Sequence, residues 1–260
     1  MNQLLNQIGP QRLAGFILVL ARVSPLFAIA PLFSSKLVPM RVRAVVAVGL
    51  AIGLSPVVAK GHHISLDAFT LTALIGKELL IGLAFAYALA AVFAAVTVAG
   101  SLLDTLIGFS FGSLVDPVSG NQSTVLQQLY SMVAVLIFIA IGGDSWTIQG
   151  LARTYEVVPL SDFPALGPLV AGANVAFVKV FSSALQVAAP VLLAILITDA
   201  GFGMVSRVVP QLNVFQVGFP AKVLVGLLLI GVSLPFVGGW LAGELQTDVG
   251  LALHSLQVVS

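Results

Sequence analysis

"LLIGLAFAYALAAVFAAVTVAGSLL" occupies residues 79–103, and its reading decides the fold. It contains no charged side chain and is bounded by Lys77-Glu78 and Asp104. As an α-helix it would measure about 37 Å, enough to cross the roughly 30 Å of bilayer hydrocarbon. Gly82, Ala86, Ala90 and Ala94 recur every fourth residue and so line one helix row. Small side chains let helix backbones approach closely in lipid. Packing within the chain is the plainer expectation for this row; packing against a neighbouring subunit is the alternative.

The rest of the chain agrees with a membrane reading. Of its 260 residues 59% are hydrophobic and only 8% charged, against about 25% charged in soluble domains. The fold class expected is therefore an all-α membrane protein. A net charge of +1, with no basic stripe, gives nucleic acid nothing to bind. The absence of cysteine excludes disulfides, thiolate catalysis and zinc ribbons. The "AIA" at 28–30 imitates a cleavage site. However, the first eleven residues carry no basic side chain and Arg22 interrupts the apolar run, so this stretch is expected to stay in the protein.

Working outward, the apolar segments are 13–35, broken by Arg22, Pro25 and Pro31; 44–59; 79–103; 122–143; 169–198, with Pro190; and 217–243. About six partly broken helices are expected, with 144–168 as a polar connector. Lys36, Arg41 and Arg43 favour a cytoplasmic loop between the first two segments.

Ionisable residues at membrane depth are candidates for function. Arg22, inside an apolar run, must pair with a carboxylate from another helix or lie outside lipid. Lys77 and Glu78, being adjacent, point about 100° apart on a helix, and each is expected to find a different partner. An intramembrane serine protease would need a base beside its nucleophile. His62, His63 and His254 lie only in a connector and the tail. An aspartyl protease would need two carboxylates sharing a site. Asp104, Asp144 and Asp199 sit near segment ends, where aspartates usually cap helices or face water. No metal-ligand, P-loop or dinucleotide motif is present, so neither a cofactor nor an enzyme activity is expected.

"DTLIGFSFGSLVDPVSG" (104–120) is an uncharged, apolar loop where a polar one is usual. Gly108 and Gly112 flank Phe109 and Phe111, and Asp116-Pro117 supplies turn chemistry. Irregular backbone at membrane depth is tolerated only where protein or a cavity surrounds it. These phenylalanines therefore either pack against helices or close a pore as a hydrophobic constriction.

"RVSPLFAIAPLF" (22–33), "VPMRVRAVVAVGLA" (38–51), "GKELLIGLAFAYAL" (76–89), "AGSLLDTLIGFSFGSLVDPVSG" (99–120) and "AAPVLLAILITDAGFGMVSRVVPQLNVFQVGFPAKVLVG" (188–226) resemble, in order, the FliR family of flagellar export proteins. The chain departs from that pattern at "GGDSWTIQG" (142–150), where relatives often carry an Asn-Gly-His tripeptide. The resemblance implies one FliR-type domain over 1–260. It implies bent helical hairpins stacked in a spiral around a channel, in an export gate built with FliP- and FliQ-type subunits and neighbouring export-apparatus membrane proteins. That gate passes unfolded proteins across the bacterial inner membrane at the flagellar basal body and is partly raised toward the periplasm. It also implies that the region of Gly108, Phe109, Phe111, Gly112, Asp116 and Pro117 plugs the channel. Arg22, Arg43, Lys77, Glu78, Asp104, Asp199, Arg207, Gln211, Asn213 and Lys222 are expected to hold polar contacts and ion pairs. Arg207 and Gln211 would share a face if their stretch is helical. The runner-up is a six-span small-solute transporter or channel.

Overall fold

The computed structural model describes residues 9–34, 38–58, 64, 67–110, 124–211 and 213–256. Among these, no strand occurs. The helices are α1 (Pro10–Ile29), α2 (Pro31–Ser34), α3 (Met40–Val58), α4 (Ala68–Ile107), α5 (Val125–Ala140), α6 (Gly143–Val157), α7 (Leu166–Val208) and α8 (Val214–Ser255). Five are long and apolar enough to cross a membrane, and six spans result if α5 and α6 count as one broken span.

Local chemistry sets the boundaries. Pro10 opens α1 at its first turn, where a missing N–H is harmless. Ala30 is extended (φ −65°, ψ 128°) because Pro31 follows it, and that breaks α1 from α2. Inside α1, Pro25 cannot donate to the Ala21 carbonyl, and the Ser24 hydroxyl donates to it instead at 3.1 Å. Gly142 takes a left-handed φ of 71° between α5 and α6. α7 stops at Val208, two residues short of Pro210. The Asn213 side-chain oxygen accepts the Gln216 N–H at 3.3 Å and so caps α8.

Two expectations are corrected. The 144–168 connector is mostly α6: polar composition resembles a loop, yet 143–157 contains no proline, and Asp144 complements the positive end of the helix. The apolar stretch 79–103 is only the middle of a 40-residue helix that starts at Ala68 and carries Lys77 and Glu78 within it. At about 60 Å, α4 is twice the thickness of the hydrocarbon.

The chain divides into two compact units. The first comprises Met1–Ala91, Gly142–Phe177 and Leu245–Ser260; the second comprises Val92–Ile141 and Val178–Glu244. In the first, α1 packs along α3, and Ile81, Val158 and Leu256 form a buried cluster with Ala84, Val157 and Leu169 around it. In the second, Phe93 and Phe138 meet edge to face at 5.3 Å.

Gly82 shows why part of the small-residue row exists. A Cβ there would collide with the backbone carbonyl of Arg22, which no rotamer change relieves. Gly82→Ala should therefore cost about 1–3 kcal/mol, as overpacking does. Gly76→Ala, with nothing within 4 Å, should be neutral or gain roughly 0.4–1 kcal/mol. Membrane abundance and the melting temperature of the purified protein separate the two. Equal behaviour would remove the close-approach argument.

Candidate functional site

The first unit contains a buried charge network. Arg22 of α1 is completely buried, and its Nε donates to Glu78 Oε2 of α4. One guanidinium nitrogen reaches Thr154 Oγ1 at 3.2 Å and the other reaches the Val158 carbonyl at 2.9 Å. The guanidinium carbon lies 4.0 Å from the centre of the Tyr155 ring, a cation–π contact in a dry setting. Tyr155 in turn donates to the Val19 carbonyl at 3.4 Å.

Lys77 completes the network. Its Nζ is 2.9 Å from Glu78 Oε1 and donates to the carbonyls of Pro159, Leu160 and Asp162 at 3.2, 2.8 and 2.9 Å. Lys77 and Glu78 thus each find a different partner, as expected, and bond each other as well. Their side chains are long enough to bend round the 100° between them. Two buried cations face one carboxylate, and the remaining positive charge meets carbonyls at and beyond the C-terminus of α6. That is the negative end of the helix dipole. The network thereby ties α1, α4 and the 158–162 turn together.

In the second unit, the Asp104 carboxylate caps the start of α5. Its Oδ2 accepts the N–H groups of Leu126 and Gln127 at 2.9 and 3.0 Å. Gly100 allows this, since a Cβ there would lie 2.8 Å from the Leu126 carbonyl oxygen. Thr124 N–H donates to Gln127 Oε1 at 3.3 Å at the same helix end. Just beyond Asp104, Gly108 (φ 103°) turns the chain out of α4. Phe109 follows, half-buried. Phe111, Gly112, Asp116 and Pro117 lie outside the described residues.

Other expected polar residues separate into two groups. Asp199 pairs with Lys222 at 2.5 Å, and Lys179 pairs with Glu244 at 2.5 Å. Arg43 Nε donates to the Val38 carbonyl at 2.9 Å. Arg207 and Gln211 do not share a helix face, because α7 ends between them, and both side chains are exposed. Arg207 lies in the last turn of α7, where a cation suits the dipole. Thr154, Tyr155, the 158–162 carbonyls, Gly100 and Glu244 were not among the expected residues. Only Glu244 carried a signal, as the carboxylate Lys179 required. Among the described residues no group of three metal-ligating side chains forms.

Comparison with known proteins places this architecture. The family model for bacterial export proteins, family 1, matches residues 13–247. The flagellar biosynthetic protein FliR of Escherichia coli K12 is 29% identical, covering 84% of this chain and 83% of the relative. FliR of Bacillus subtilis 168 is 31% identical, covering 85% and 86%. Yop proteins translocation protein T of Yersinia pestis is 31% identical, covering 83% and 84%. The matched region runs through both compact units and takes in Arg22, Lys77, Glu78 and Asp104. The chain belongs to family 1 of the bacterial export proteins, the family of FliR.

Proposed function

We propose that this chain is a membrane component of a bacterial type III protein-export gate. It would join FliP- and FliQ-type subunits, beside other export-apparatus membrane proteins, in a channel for unfolded flagellar proteins across the inner membrane at the flagellar basal body. The observation that carries this reading is the likeness over residues 13–247 to a family that includes both flagellar export proteins and a Yop translocation protein. The flagellar assignment rests on the resemblance of the chain as a whole to FliR-type flagellar proteins. The role is structural, without cofactor or catalysis: the buried carboxylates with described partners are engaged in pairing or capping.

Within this proposal, Arg22, Lys77 and Glu78 hold the fold, and Asp104 anchors one end of a loop whose Phe109 and Phe111 seal the closed channel. Gly108 and Gly112 let the loop bend, and Asp116-Pro117 ends the excursion. An anchored base supports a seal, because an apolar plug must stay in register with its pore to exclude water.

Many large apolar side chains are exposed on the isolated chain, which is the condition of a subunit that lacks its surroundings. Co-expression with FliP- and FliQ-type subunits should yield a stable complex that survives detergent. The chain made alone should be poorly inserted or degraded. Copurification and membrane abundance are the measurements. A monodisperse, well-folded monomer obtained without partners would contradict the reading.

A further inference from the structure

α7 and α8 contain 43 and 42 residues, about 65 Å each. That is twice the thickness of the hydrocarbon, so hydropathy does not say which part of them lies in lipid. The ion pairs do. Lys179 and Asp199 stand 20 residues apart on α7, and their partners Glu244 and Lys222 stand 22 apart on α8. Both pairs therefore bridge the same antiparallel hairpin, one toward each end. Between them, 180–198 and 223–243 contain no Asp, Glu, Lys, Arg or His.

We propose that this hairpin crosses the bilayer between its two ion pairs, with 180–198 and 223–243 in the hydrocarbon and its outward apolar face against lipid chains. The separation of the pairs, about 30 Å along α7 and about 33 Å along α8, equals the thickness of the hydrocarbon core. Charges are tolerated at its edges when they are paired and can reach the headgroups, and each pair is partly exposed. The two faces differ as lipid contact requires. Ala184, Val187, Ala188 and Val191 are buried, whereas Ile197 and Val232 are 73% and 76% exposed. Ser182 and Gln186 are the polar exceptions on the exposed side, and the Ser182 hydroxyl is satisfied within the helix by the Lys179 carbonyl at 3.1 Å.

This inference rests on the membrane location in the proposed function and not on the export role, so its test uses no secretion readout. The chain has no cysteine, which permits single substitutions in the full-length protein. Leu193→Cys and Val232→Cys probe mid-span. Met204→Cys and Gln246→Cys probe beyond the two ion pairs. Each is spin-labelled in the complex with its copurifying subunits, reconstituted into phosphatidylethanolamine–phosphatidylglycerol vesicles. Collision with oxygen, which concentrates in hydrocarbon, is compared with collision with a water-soluble nickel chelate. The expected oxygen-to-nickel ratio is several-fold higher at 193 and 232 than at 204 and 246. A flat ratio, with the chelate reaching 193 and 232, would mean a water-facing hairpin and overturn the proposal. Low access to both probes at 193 and 232 would mean a protein partner covers the face and would overturn it equally. If any label disturbs assembly, Leu185→Cys and Leu228→Cys give the same reading from neighbouring turns.

Discussion

Glu78→Ala should remove most of the folded protein from the membrane. Glu78 pairs with both Arg22 and Lys77, and all three side chains are buried. Without it two cations remain in the interior, held only by carbonyls, a hydroxyl and the Tyr155 ring. Removing one partner of a buried ion pair costs about 3–5 kcal/mol, a large part of the roughly 5–15 kcal/mol that separates folded from unfolded protein. Arg22→Ala should be less damaging than Glu78→Ala, because the Lys77–Glu78 pair survives. The double variant Arg22→Met/Glu78→Met, which leaves Lys77 on its carbonyl cluster, should recover part of the loss in abundance. Quantified membrane fractions and the melting temperature of purified complex test the order. Wild-type abundance for Glu78→Ala with transport abolished would move this network from structure to the transport pathway.

The second large effect concerns the loop. Deleting roughly 106–115, or replacing both Phe109 and Phe111 by glycine, should leave an assembled gate that leaks ions and small solutes. A constriction of apolar side chains closes a pore by excluding water, and in the proposed seal these two phenylalanines would supply its bulk. The Asp104 cap and the start of α5 lie outside the deletion, so the anchors that hold the loop ends persist. Membrane conductance is read against complex abundance. Intact assembly with wild-type conductance would mean the phenylalanines only pack and the seal lies elsewhere.

These two cases also show what can be read from residues alone. Arg22 in an apolar run called for a carboxylate from another helix or a place outside lipid, and that Glu78 is this carboxylate required the fold. The rest of its shell was not legible, since Val158, Pro159, Leu160 and Asp162 act through backbone carbonyls, which every residue type shares. That helix-end aspartates cap helices was expected; that Asp104 caps a different helix required the fold. Hydropathy windows located the apolar centres of α4, α7 and α8 but not their lengths, because polar helical turns continue beyond them. α6 was mistaken for a connector for the same reason. The supposed Arg207–Gln211 face failed for a cause already in the sequence: Pro210 disfavours helix at the residue before it, and α7 ends at Val208.

The central claim is that this chain is needed for protein export. The most direct test is an in-frame deletion of its gene, with flagellar subunits measured in the culture medium and in the cells. Secreted subunits should vanish from the medium while they accumulate inside, and the wild-type chain, but not Glu78→Ala, should restore them. Undiminished secretion in the deletion strain, above all with uptake of a small solute lost instead, would contradict the account.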